Sequence, residues 1–218
     1  HAARADIIGV HCPCPTHGGG INLAASEPGW PAVEKAVEES LTLADSVHAR
    51  YVVIHAFYCT DGCLPSGDIA RMATLRTLFP NHVDLAAYVA SDRYQEARQR
   101  VVFNLKRILP RWRRAFPRQR IVLENLNPRL GYGGMLPADL SMIVRRLDGD
   151  VGICLDVGHL TLASAALGVP LEDDVRAASE CIECCHVHQN FAGRLAIDRF
   201  WHETGPHNPA LQEVDTHL

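Results

Sequence analysis

The 218-residue chain has no apolar run near the ~20 residues that a membrane-spanning helix needs. Its first residues, His1-Ala2-Ala3-Arg4-Ala5-Asp6, hold neither an initiating Met nor the apolar centre of a secretion signal. The chain is therefore expected to be a segment of a longer protein. No G-x-G-x-x-G or G-x-x-x-x-G-K-[ST] run follows any strand-like segment, which removes the usual nucleotide-binding phosphate loops. Solenoid-length repeats and low-complexity tracts are also missing. A formal charge of -4 and a pI near 6.3 give no global pull toward nucleic acid or an anionic membrane. What remains is an ordinary globular composition, 47% apolar and 21% charged, of a size that suits one core. The expectation is a single cytoplasmic domain over residues 1–218.

Eight cysteines do not form a secreted disulfide framework here, because a chain of this length can build its own core. Cys154 and Cys185 lie in strand-like runs and read as buried thiols. Cys12, Cys14, Cys59 and Cys63 fall just after two strands. Reduced thiols are the simpler reading there, and a thiolate zinc site is the alternative.

Five short runs have the near-continuous apolar character of parallel strands covered on both faces. They are 6–11, 51–55, 120–125, 151–156 and 184–188. Between them, helical spacing appears in 31–49 and 92–116, and in the shorter stretches 137–147 and 171–182. Pro110 marks an expected kink. Strand and helix alternate throughout, which argues for an α/β protein with a parallel sheet.

Every one of the five strands ends in or near a metal-type side chain: His11, His55, Glu124, Asp156 with His159 just beyond, and His186. Taken singly, such a residue usually just meets water. Jointly they form the carboxylate and imidazole set that Zn²⁺, Mn²⁺ or Fe²⁺ accept. A barrel brings strand ends to one mouth, whereas an open sheet spreads them along a line, so a (β/α)8-type barrel is favoured. Such a barrel typically needs roughly 250 residues. One strand is thus expected before His1 and about two after Leu218.

The motifs V-I-H at 53–55, L-E-N at 123–125, C-L-D-x-G-H at 154–159, H-V-H-x-N at 186–190 and D-T-H-L at 215–218 resemble the xylose isomerase-like barrels. The segment 20–24 after the first strand fits as well. That superfamily holds sugar isomerases and epimerases together with endonuclease IV. The resemblance implies that Glu124 bridges metals in multinuclear members, or acts near the substrate as a catalytic base in mononuclear ones. It implies that Asp156 and His186 are core metal ligands, that His11 and His55 hold a second metal, and that His159, Asp215 and His217 hold a third. His188 and Asn127 are the implied substrate contacts. Gln189 stands where the family usually has an acid, and the family's last metal-binding glutamate has no counterpart in this chain. Asp198 and His202, in the insert 191–214, are an alternative to the pair Asp215 and His217.

The implied cofactor is a divalent ion, Zn²⁺ or Mn²⁺ first, Mg²⁺ or Fe²⁺ next. The implied substrate is a small sugar or sugar phosphate undergoing isomerisation or epimerisation. The alternatives are a phosphodiesterase acting on abasic DNA and a non-catalytic barrel used as a binding module. Arg111, Arg113, Arg114, Arg118 and Arg120 form one basic cluster, placed at the bottom of the barrel and read as a solvated face rather than a DNA surface.

Overall fold

The structure, a computed structural model, describes residues 7–13, 21–59 and 85–187. Among these there are seven strands and six α-helices. In chain order they are β1 (Gly9–His11), α1 (Trp30–Ser46), β2 (Tyr51–His55), β3 (Phe57–Tyr58), α2 (Leu85–Ala90) and α3 (Asp92–Ala115). Then come β4 (Arg120–Glu124), β5 (Tyr132–Gly133), α4 (Pro137–Val144), β6 (Gly152–Asp156), α5 (Val157–Leu167), α6 (Leu171–Ala178) and β7 (Ile182–His186).

The helices form where the sequence supplies both a buried stripe and an end signal. In α1, Pro31 occupies the first turn, and Val33, Val37, Leu41 and Ala44 are buried. In α3, the Ser91 side chain accepts a hydrogen bond from the Tyr94 N–H, and Arg113 and Arg114 sit in the last turn. Its stripe of Tyr94, Ala97, Val101, Leu105, Ile108 and Trp112 is buried, and the helix runs through Pro110. The two shorter stretches end sooner than periodicity suggests. Both α4 and α6 finish in a turn of 3-10 helix, at Arg145–Leu147 and Ser179–Cys181. The stretch after Asp156, for which no helix is expected from the periodicity, is α5, with Asp156 as its N-cap and Gly168 in the left-handed conformation at its end.

Strands β1, β2, β4, β6 and β7 make one parallel sheet in that order. Its outer face, with Val52, Ile54, Leu123 and Ile153, packs into the main core under the helices. On the inner face Val53, Val122 and Cys154 form a separate small cluster, with Tyr51 and Cys184 against it. Two apolar layers on opposite faces of one parallel sheet are what a barrel wall requires. The curvature is visible in the side chains. In a flat sheet the first and fifth strands lie roughly 19 Å apart at the usual inter-strand spacing. Here the rings of His11 on β1 and His186 on β7 are 6.0 Å apart. The sheet is therefore curled into an incomplete barrel, as the convergence argument expects.

Strand β7 lies two residues earlier than the sequence pattern places it, and the in–out phase is kept. A register shift opposite Ile153 and Cys154 sets Cys184, on the inner face, directly opposite Cys154. Cys185 then faces the other way and is exposed, so its expected burial is corrected, while Cys154 is fully buried. The short strands β3 and β5 pair antiparallel above the mouth. The turn between β5 and α4 needs Gly134 at φ +70°, where a side chain would meet Leu140 and Ala56. No helix among the described residues is long and apolar enough to cross a membrane.

Four of the five arginines in the cluster are paired with carboxylates. Arg111 pairs with Glu34 and Glu38, Arg113 with Asp150, Arg118 with Asp45, and Arg120 with Glu183. These contacts join the C-terminal half of α3 and the entry to β4 to their neighbours, at the end of the strands opposite the histidines.

Candidate metal centre

His11, His55, Glu124, Asp156 and His186 are each the last residue of their strand, and all point into the curve of the sheet. Strand alternation explains this: each lies two residues beyond an inner-face position and so shares its side. Glu124 is at the centre. Its Oε2 lies 2.7 Å from His11 Nε2 and 3.5 Å from His55 Nε2. Its Oε1 lies 2.8 Å from His186 Nδ1, which is 3.8 Å from Asp156 Oδ2. Two triads result, His11–His55–Glu124 and Glu124–Asp156–His186, each with its donor atoms within 4.8 Å of one another. Neither Cys12 nor Cys59 joins such a group among the described residues.

Glu124 is 2% exposed, and burial alone pushes its carboxyl pKa up. Hydrogen bonds from His11 and His186, with the charge of His55, outweigh that and hold it well below the usual carboxylate range. The same contact with Glu124 raises the pKa of His186. The pocket is therefore a buried anion surrounded by imidazoles, an arrangement that either protons or cations can balance.

The imidazole tautomers favour cations. His11 Nδ1 lies 2.6 Å from the Cys12 carbonyl oxygen, which only accepts, so Nδ1 carries a proton; Nε2 also donates, to Glu124, in the metal-free protein, and is the nitrogen that would lose its proton to present a lone pair to an ion. His159 Nδ1 donates in the same way to the Asn125 carbonyl, 2.9 Å away. His55 Nδ1 lies 3.4 Å from the Tyr58 hydroxyl, with Nε2 again toward Glu124. Donors on one zinc ion at ~2.0–2.2 Å in tetrahedral array sit about 3.3 Å apart. The observed separations of 2.7, 2.8, 3.5 and 3.8 Å straddle that value. The residues thus fit a divalent ion in either triad.

Two residues absent from the sequence-level roles hold the ligands in place. The fully buried Asn125 side chain donates to the Asp156 carbonyl at 3.0 Å and accepts from the Asp156 N–H at 2.7 Å. That two-point clamp ties β4 to β6, and gives the L-E-N motif a physical reason. Asn22 accepts from the Ala24 and Tyr58 N–H groups, both at 3.0 Å, and so seats β3 and its Tyr58. A buried Asn is a weak signal in sequence, since only its partners reveal its task. Replacing Tyr58 by Phe removes an orienting contact of His55 and is expected to weaken zinc binding at the His11–His55–Glu124 triad about 10-fold, without unfolding the protein. A competition titration with a chromophoric chelator measures this; unchanged affinity would show that His55 is oriented by other contacts.

His159 is buried in the first turn of α5, where its N–H bonds Asp156 Oδ1 at 2.7 Å. Its Nδ1 is 3.7 Å from the same oxygen, so it adjoins the centre without joining either triad. Asn127 follows β4 on the mouth loop and is half-buried. His188, Asp215, His217, Gln189, Asp198 and His202 lie outside the described residues, as do Cys14 and Cys63.

Comparison with known proteins agrees with this architecture. A putative xylose isomerase from Rhodospirillum rubrum aligns with TM-score 0.61 at 12% identity, over 87% of this chain and 56% of its own. A D-tagatose 3-epimerase-like protein aligns with TM-score 0.55 at 22% identity, over 84% of this chain and 57% of its own. Endonuclease IV from Thermus thermophilus aligns with TM-score 0.47 at 17% identity, over 83% and 52%. The chain spans between half and three-fifths of each of these structures. No curated protein sequence matches it. The family described as xylose isomerase-like TIM barrel matches residues 2–211, and the chain belongs to that family.

Proposed function

We propose that the chain carries the metal-binding part of a divalent-metal-dependent isomerase or epimerase for a small polyhydroxylated carbonyl compound, a sugar or sugar phosphate. The observation that supports it is the division of the Glu124 carboxylate, with Oε1 beside Asp156 and His186 and Oε2 beside His11 and His55. Glu124, Asp156 and His186 would hold the ion, with Zn²⁺ or Mn²⁺ best suited to their oxygen and nitrogen donors. When bound, the ion supplies Lewis-acid polarisation of a carbonyl and its neighbouring hydroxyl, which acidifies the C–H between them. Oε2 of Glu124 then accepts the proton as general base, and His11 Nε2, 2.7 Å away, is placed to share it. Burial excludes water from this oxygen, and the imidazoles keep it ionised. Asn127 and His188 are the proposed substrate contacts.

A second reading rests on one specific feature. His11, His55 and Glu124 are themselves a complete triad of two imidazoles and one carboxylate. Two adjacent ion sites sharing a carboxylate suit phosphodiester hydrolysis, and His159, Asp215 and His217 are proposed as a third cluster in that case. One set of measurements separates the two in the full-length protein. The first reading expects one tightly bound ion per chain, and ion-dependent incorporation of solvent deuterium at a substrate carbon across a panel of ketoses and aldoses. Two or more ions with cleavage of an abasic oligonucleotide would replace it by the second. Absence of both activities from the ion-loaded protein would remove both.

A further inference from the structure

We propose that Cys154 and Cys184 are a redox modification site, a dithiol that closes reversibly to a disulfide and thereby loosens the metal centre above it. The inference of a coupled effect rests on the reading of Asp156 and His186 as metal ligands; the crosslink itself does not.

The geometry is that of two thiols already face to face. Cys154 on β6 and Cys184 on β7 are direct register partners in adjacent parallel strands. Both side chains belong to the inner-face cluster with Val53 and Val122. Adjacent strands set the two Cα atoms about 4.8 Å apart. A disulfide accepts roughly 4.4–6.8 Å, with ~5.5–6 Å preferred. Closure is thus within reach of the existing backbone, and it draws the two Cβ atoms from the inter-strand spacing to the ~3.8 Å of a disulfide, which shifts the strands locally. The register shift beside this pair makes β7 the more yielding strand at that point.

Access is one-sided. Cys154 is fully buried, whereas Cys184 is partly exposed. With a low-molecular-weight disulfide such as glutathione disulfide as oxidant, the Cys184 thiolate attacks one sulfur. It forms a mixed disulfide and releases one glutathione thiolate. Cys154 then gives up its proton and displaces the second glutathione, forming the Cys154–Cys184 bond. Two protein thiols are oxidised, and one glutathione disulfide is reduced to two thiols.

The next inner-face pair along the same two strands is Asp156 and His186, also direct register partners. A local shift of β6 against β7 at the cysteines therefore reaches the two ligands one step higher. Metal–ligand distances lie within about 0.2 Å of their standard values, so a shift of either ligand backbone strains the site. The oxidised chain is expected to bind zinc at least ~10-fold more weakly than the reduced one, with full recovery on adding dithiothreitol.

The test is to expose the reduced protein to glutathione disulfide, block remaining thiols and map the peptides by mass. A Cys154–Cys184 crosslink is expected in the natural chain and in C185S, and none in C184S. C154A should stop at the glutathione adduct on Cys184, so the pathway remains readable if C184S folds poorly. A Cys184–Cys185 crosslink, or eight thiols that all remain alkylatable, would overturn the proposal. Equal zinc affinity in the oxidised and reduced forms would overturn the coupling. A crosslink in a chain that binds zinc in neither form would leave the dithiol standing and overturn the metal reading instead.

Discussion

Glu124→Gln is expected to remove zinc binding from both triads at once, weakening affinity by more than ~100-fold, and to lower deuterium exchange by about 10²–10⁴-fold. The reason is position. Each other candidate ligand serves one triad, whereas Glu124 presents one oxygen to each. Gln keeps the shape and one acceptor but loses the charge that the imidazoles surround. His11→Ala removes a donor from one triad only, and is expected to leave the Asp156–His186 side able to bind. The metal-free protein supplies a second readout. The raised pKa of His186 has its hydrogen bond to Glu124 as the largest cause. In Glu124→Gln the ring should therefore titrate at lower pH, measured by NMR of its Cε1–H. Full zinc stoichiometry in Glu124→Gln, or an unmoved His186 titration, would show that Glu124 is not the shared centre.

The elements that carry this centre were legible because their physics is local. The strands that end in His55, Glu124 and Asp156 are runs buried on both faces, and such runs stand out from the amphipathic helices around them. That each sheet strand ends in a ligand-type side chain is also a property of the string itself, and so is the alternation that aims them inward. What escaped is what depends on distant partners. Strands β3 and β5 are two residues each and exist because they pair with each other and are seated by Asn22. The clamp of Asn125 on Asp156 joins residues 31 apart. That Cys184 sits directly opposite Cys154 follows from a register shift that no one-dimensional pattern encodes. Helix α5 is legible in principle from an Asp N-cap and a Gly at the far end, but the same Asp156 and His159 also fit a ligand pattern, which masks the cap. Both roles coexist: Asp156 Oδ1 caps the helix while Oδ2 faces His186.

Asp174→Asn is expected to stabilise the protein at neutral pH, by an amount that grows as the pH rises. Asp174 on α6 is 3% exposed. Its Oδ1 accepts the Ala138 N–H at 3.3 Å, in the first turn of α4, where the N-cap Leu136 offers no side-chain acceptor. Its Oδ2 finds no hydrogen-bond partner among the described residues. Burial pushes its pKa from 3.8 up to about 6; the Ala138 bond opposes this, and the nearby Asp139 adds to it. The folded state therefore holds this proton more tightly than the unfolded state. That contribution is fully present below about pH 4 and is lost as the pH rises through about 6. A shift of roughly two units corresponds to about 3 kcal/mol. Asn keeps the acceptor for Ala138 and never ionises. Its amide group has a fixed cost at every pH, so the informative quantity is the change with pH. The unfolding free energy of Asp174→Asn minus that of the natural chain should rise by about 2–3 kcal/mol between pH 4 and pH 8. The lowered Glu124 pKa contributes a slope of the opposite sign, stability lost as the pH falls, but it is common to both proteins and cancels in the difference. Urea unfolding curves at pH 4, 5, 6, 7 and 8 measure that difference, and a flat line would mean that Asp174 reaches water or a cation in the folded protein.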